Sequence, residues 1–211
     1  GVSASSAVAV QLASGCDLTL ATRLFEFLSR YIFTKNTLGG WWGPLYSARY
    51  LRLYLELFYK DRRLADLPRN VFCVSVCMNA PALEAVFFEN LLDGHGSDRI
   101  ADVCLKSCSA PLYFEAHDGF LDGALFENNP VACCFPLLFG VEGRRLDPRD
   151  VVCLSLSTGA PTPPFFDHET FQDAGCLKWG PHVLDLLQYS RVGVSPLTPS
   201  ETRAPRPERP G

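Results

Sequence analysis

The sequence has no apolar run long enough to cross a bilayer. The longest, PVACCFPLLFGV from Pro130 to Val141, falls well short of the roughly 20 residues a spanning helix needs and holds an internal proline. It also lacks clustered positive charge. The 19 Lys and Arg are outnumbered by 23 Asp and Glu, for a net charge of −4, and apart from Arg144-Arg145 and a thin sprinkling near the C-terminus they are scattered. Phosphate backbones require Lys and Arg in clusters, so nucleic acid is not an expected partner. Histidine is scarce, four in all, with no pair at zinc-finger spacing, and no acidic loop has EF-hand spacing. No metal and no other cofactor is called for. A secretory signal pattern is missing as well; because the chain opens on glycine rather than Met, the expectation is that it starts inside a longer protein.

Cysteine, by contrast, is plentiful. There are nine, an odd number, with Cys73 and Cys77 four apart, Cys104 and Cys108 four apart, and Cys133-Cys134 adjacent. None forms a CxxC, and most lie in apolar contexts such as VFCVSVCM, where a free thiol behaves as a small hydrophobe. This usage favours a reducing compartment, hence an intracellular location, cytoplasmic or on a membrane periphery.

Composition is that of an ordinary globular domain, 47% hydrophobic and 20% charged. Val8, Leu12 and the alanines between them predict a helix ending near Gly15. A second helix follows Asp17, with Leu20, Leu24, Leu28 and Ile32 at four-residue spacing on one face. TKNTLGGWWGP reads as a loop, and Ser47 to Tyr59 as a helix with a Leu51, Leu55, Phe58 stripe. VFCVSVCM (71–78) and VVCLSLS (151–157) predict buried strands, while Pro81 to Leu92 fits helix or strand. Ser97 is placed as the cap of a helix through Ile100, Val103 and Cys104, Asn129-Pro130 as the cap and first turn of another, and Pro181 as the start of a last one. Alternating strands and helices predict an α/β fold, three layers with a mostly parallel central sheet. The domain is expected to span 1–193. Residues 194–211, rich in proline and charge, predict a disordered tail.

Two short stretches carry chemistry. In HDGFLDGALFENNP, Asp122-Gly123 sits in a tight turn between a strand end and a helix start, an awkward place for a carboxylate that nothing uses. At the front, Gly1-Val2-Ser3-Ala4-Ser5 sets a serine among small residues directly before a helix. That is the pattern of a GxSxG nucleophile elbow with Ser5 in place of the second glycine. Small residues are needed because the serine occupies a sharp strand-to-helix turn, and the helix start aims its free N–H groups at the position of an oxyanion.

Ser3 followed 119 residues later by Asp122-Gly123-Ala124, with DRIADVCLKSCSAPLYFEAHDGFLDGALFENNP leading into it and DVVCLSLSTGAP after it, resembles the patatin-like phospholipase family. The segment LYSARYLRLYLELFYKDRRLADLP is similar to the family's connection from the elbow helix to the next strand, and the likeness covers roughly 1–190. The resemblance implies a patatin-like fold and a serine lipid acyl hydrolase that needs no cofactor. In that reading Ser3 is the nucleophile, Asp122 accepts its proton, Phe120, Leu121 and Phe126 wall the carboxylate, and the Ala4 backbone N–H is one oxyanion donor. Gly1, Ser5 and Gly123 are motif positions. It implies a lipid ester substrate, with contact to a membrane or lipid-droplet surface. It also implies a glycine-rich oxyanion loop before the elbow; these 211 residues contain none, so the expectation is a fragment or truncated form of low activity.

Three alternatives stay open. The chain order Ser, Asp, His also fits a triad completed by His168 or His182. The fold fits, too, a silent lipid-binding or scaffold domain. Trp41 and Trp42, with Leu38 and Leu45, suit either docking on a lipid surface or capping the core beneath a loop.

Overall fold

The first helix, α1 (Ala4–Ser14), stops where glycine lets it, with Gly15 in the left-handed region at φ 66°. The computed structural model describes residues 1–37, 42–79, 81–92 and 94–156, together with 172, 178 and 180–182. α2 (Leu18–Ile32) starts at Asp17, whose carboxylate accepts from the Thr19 and Leu20 N–H groups. Then follow α3 (Arg49–Tyr59), β1 (Phe72–Cys77), β2 (Glu84–Glu89), α4 (Ile100–Ser107), β3 (Phe120–Asp122) and α5 (Pro130–Phe139). Asn129 caps α5 by accepting from Val131 N–H, with Pro130 at its first turn. α4 departs from the expected cap: Arg99, not Ser97, precedes it, and no side chain caps it.

β1 is the centre of the sheet, in the order β2-β1-β3. Both its pairings are antiparallel, with Val74 opposite Phe87 on one side and Ser75 opposite Asp122 on the other. The α/β character stands, but the mostly parallel three-layer sheet is not what the described residues form. Their parallel pairing is limited to an isolated bridge, Val2 to Val74. Geometry explains the β1–β2 pair, since the short link 78–83 cannot make a parallel crossover, which takes a dozen residues or more.

Successive residues of a strand face opposite sides of the sheet. On one side Cys73 joins the large core, built from Val10 of α1, Leu28 and Ile32 of α2, Leu51, Tyr54 and Leu55 of α3, Ile100, Val103 and Cys104 of α4, and Phe88 of β2. On the other, Val74 packs with Val2 and Ala124, backed by Phe72 and Phe87. The helix faces differ in detail from their periodicity. Leu20 is exposed and Ala21 is buried in its place, and α1 buries Ala7, Val10 and Ala13 rather than Val8 and Leu12.

Of the stretch expected as a second buried strand, 151–157, the described residues 151–156 have no strand partner among the described residues, and Val152 is 98% exposed. β-propensity expresses fit to a pleated, half-buried surface, so alone it does not make a strand. The chain divides into two units, Gly1–Gly159 and Ala160–Gly211. Of the second, a short 3-10 turn at Gly180–His182 is described where a helix from Pro181 was expected. Residues 183–211, including the tail and the boundary at 193, lie outside the described residues.

Leu55 is fully buried whereas Leu57, two residues on and on the opposite face of α3, is 56% exposed. Leu55→Ala is expected to lose about 2–5 kcal/mol, and Leu57→Ala to stay within about 0.5 kcal/mol of wild type. Urea denaturation measures both.

Candidate active site

Ser3 stands between the Val2 bridge to β1 and the first turn of α1, with φ 52° and ψ −136°. A non-glycine residue in such a region costs on the order of 1–3 kcal/mol and persists only where its surroundings over-determine it. Here they do. Ser3 N–H donates to Ser107 Oγ at 3.0 Å, and the Ser3 carbonyl accepts from Ser6 Oγ at 2.6 Å and from Ser6 N–H at 2.9 Å. Gly1 has to be small: a Cβ there would run into the Ser5 carbonyl and lie 2.6 Å from Ser6 Cα. Ser5 does more than substitute for a glycine. Its Oγ accepts from Val2 N–H at 2.8 Å and lies 2.7 Å from the Val2 carbonyl, so the hydroxyl satisfies the backbone of the turn.

Asp122 ends β3. Opposite Ser75 in the register, its side chain leaves the sheet on the face where α1 and α4 pack. Its N–H donates to the Ser109 carbonyl at 2.9 Å, and Oδ1 accepts from Ala124 N–H at 2.8 Å. Gly123 lets the chain turn immediately afterwards, since any Cβ would collide with the Val74 carbonyl. Ser3 Oγ, 119 residues away in sequence, donates to Asp122 Oδ2 at 2.6 Å, the short length of a charge-assisted O–H···O⁻ bond.

The carboxylate is 1% exposed. Burial pushes its pKa from 3.8 up to about 6, against the opposing hydrogen bonds from Ser3 and Ala124. Phe120 and Leu121 are half-buried and Phe126 is 42% exposed, stacked edge-on to Phe87. Ala124, whose N–H bonds to Asp122, Ser107, whose Oγ bonds to the Ser3 N–H, and Cys108 are all buried. Ser3 is only half-buried, and the adjacent Ala4 is exposed. The Ala4 N–H, first in its helix, makes none of the described hydrogen bonds. A hydroxyl bonded to a carboxylate of raised basicity, open on one side beside a helix start, is an arrangement suited to adding oxygen to a carbonyl carbon.

Of the other residues singled out by sequence, Trp42 is 87% exposed, Asn129 serves as a helix cap, and Trp41 and His168 lie outside the described residues. His182 belongs to the second unit. Ser107 and Ser6 are neighbours of the pair that the sequence reading above does not name. The signal for both was available: serines within SCSAP and SASS next to residues of suspected function.

The family model described as patatin-like phospholipase matches residues 1–135, and the chain belongs to that family. It is also 26% identical over 172 residues to a Bacillus subtilis (strain 168) protein described as "Putative sporulation hydrolase CotR", across 77% of this chain and 52% of the relative. The chain thus spans about half the length of the curated relative it matches.

The raised pKa of Asp122 has a sign that can be tested. The folded state favours the neutral carboxyl, so its contribution to stability is complete below pH 3.8 and is lost as pH rises through about 6. The loss amounts to about 3 kcal/mol by the usual conversion of pKa shift to free energy. In Asp122→Asn that component is absent. The difference in unfolding free energy between variant and wild type is expected to grow in the variant's favour from pH 4 to 7, as read from urea melts across that range.

Proposed function

From this family membership and the site geometry we propose that the protein is a serine-dependent lipid acyl hydrolase, of the phospholipase or acylglycerol esterase type, working through a Ser3–Asp122 dyad. The observation that carries the reading is the 2.6 Å hydrogen bond from Ser3 Oγ to Asp122 Oδ2. Ser3 Oγ attacks the ester carbonyl while Asp122 Oδ2 takes its proton. The oxyanion that forms faces the positive end of α1 and the Ala4 N–H. Collapse of the tetrahedral intermediate breaks the ester C–O bond, and Asp122 returns the proton to the departing alcohol. Water then gives a proton to Asp122 as it attacks the acyl-enzyme, and Ser3 recovers that proton as the fatty acid leaves.

A dyad needs one carboxylate to serve as base and then as acid, so its pKa must lie closer to neutrality than that of a free aspartate. A value of about 6 meets this requirement. The direct Ser3–Asp122 contact favours the dyad over a triad, because the hydroxyl already has its proton acceptor without an intervening imidazole. Lipid esters reside in aggregates, and a Trp42 that is 87% exposed suits contact with their surface. No helix among the described residues is long and apolar enough to cross a membrane.

A fluorophosphonate probe tests the nucleophile. Labelling is expected on Ser3, absent in Ser3→Ala and reduced by about a hundredfold or more in Asp122→Asn. The wild-type labelling rate should climb as pH rises through about 6, where the carboxyl loses its proton. A wild-type protein that takes up no label at Ser3 would instead be a silent member of the family.

Trp42→Ala is expected to weaken co-sedimentation with phospholipid vesicles severalfold while leaving hydrolysis of a short soluble ester unchanged. Equal sedimentation of variant and wild type removes the surface role.

A further inference from the structure

We infer that Ser107 is a positioning residue for the nucleophile: its hydroxyl clamps the backbone of Ser3 to the centre of β1 and so sets the reach of Ser3 Oγ to Asp122. This rests on the hydrolase reading above for its effect on rate, but not for its effect on geometry.

The clamp has a fixed polarity. Ser3 N–H can only donate and the Val74 carbonyl can only accept, so the Ser107 hydroxyl must accept from the first at 3.0 Å and donate to the second at 2.7 Å. Ser107 is fully buried at the last residue of α4, so water does not stand in for either partner. Val74 is the residue that also bridges Val2 and donates its N–H to the Gly1 carbonyl at 3.2 Å. The segment on either side of the Val2–Ser3 peptide is thus tied to one residue of β1, on the Gly1–Val2 side directly and on the Ser3 side through Ser107. The next residue along, Ser75, pairs with Asp122, and Ser75 Oγ lies 2.7 Å from the Leu121 carbonyl. The strand thereby holds the backbones of both dyad members at adjacent positions.

The same contact explains a division of labour among the N–H groups of the turn. Ser3 N–H, committed to Ser107, is not free to meet an oxyanion. Ala4 N–H, which makes none of the described hydrogen bonds, is. With Ser3 at φ 52°, relaxation of the peptide once the clamp is lost would swing Cα and Oγ away from the carboxylate. Misplacement of a reacting group by about 1 Å can cost about a hundredfold in rate.

The test compares Ser107→Ala, Ser107→Cys and Tyr54→Phe in the full-length protein. Tyr54 is buried and its hydroxyl bonds to Gln11 and the Ala21 carbonyl, remote from the site, so its variant loses a buried hydrogen bond without touching Ser3. Ester hydrolysis is normalised to the folded fraction at each variant's own stability. Ser107→Ala is expected to lose about tenfold to a hundredfold in kcat with KM within about twofold, Ser107→Cys to recover part of the loss, and Tyr54→Phe to keep wild-type kcat. A second readout, amide exchange of Ser3 N–H by NMR, is expected to show protection in wild type and Tyr54→Phe and its loss in Ser107→Ala. Unchanged Ser3 exchange in Ser107→Ala overturns the inference, as does a kcat that falls no further than in Tyr54→Phe. An inert wild type with the exchange pattern intact overturns the hydrolase reading while leaving the clamp in place.

Discussion

A carboxylate that is almost wholly buried is the constraint around which this molecule is arranged. Removing an ionisable group from water is unfavourable, and the folded chain offsets it with directed hydrogen bonds instead of an opposite charge: Ser3 Oγ to one oxygen and Ala124 N–H to the other. Two donors moderate the rise in pKa without cancelling it, which leaves the group near 6. An arginine in place of either donor would have driven the carboxyl below its usual range and taken away its basicity. The choice of neutral partners is therefore what keeps Asp122 both present in a buried site and able to exchange a proton.

That contact depends on a pair of adjacent residues in β1. Val74 holds the Gly1–Ser3 segment and Ser75 stands opposite Asp122, so the spacing between hydroxyl and carboxylate is set by strand geometry rather than by a loop. Strand side chains alternate between faces. A slip of one residue between β1 and β3 would turn Asp122 toward the opposite side of the sheet and away from Ser3. Gly123 guards the register, because only glycine tolerates such close approach to the Val74 carbonyl. The end of α4 and the residues just after it then tie both segments down, Ser107 Oγ accepting from the Ser3 N–H and the Ser109 carbonyl from the Asp122 N–H.

Locally encoded features were legible in the chain. Asp17, Gly15 and Asn129-Pro130 mark helix ends by chemistry that acts within a few residues, and all three do so in the structure. The order Ser3, SCSAP, Asp122-Gly123 led to the family that the family model also gives. Strand direction was not legible, because alternation of apolar residues says which face is buried and nothing about the neighbour's orientation. VVCLSLS shows the same limit from another side, having strand composition without a described partner. Ser5 stands where the sequence pattern has a glycine. Its value lies in an acceptor and a donor aimed at Val2, and hydrogen-bond geometry of that kind has no signature in residue size. Similarly, Ala21 displaces Leu20 from the buried face of α2 because the packing against α3 decides which side of a broad apolar stripe turns inward.

The thiols around the site complete the physical picture. Cys108 lies close enough to Asp122 for the carboxylate's charge to act on it, and its Sγ is 3.8 Å from Ser6 Oγ. A thiolate would be a stronger nucleophile than any serine hydroxyl. Burial, reinforced by the neighbouring negative charge, raises the Cys108 pKa far beyond neutrality and holds the group as a neutral thiol. Cys73 and Cys104, equally buried, are pushed the same way. One dry environment thus has opposite chemical consequences for two acids. It brings the carboxyl of an aspartate up toward neutrality, and it moves the thiols further above it. Beside these neutral thiols, the half-buried Ser3 hydroxyl is the group that bonds to Asp122 Oδ2.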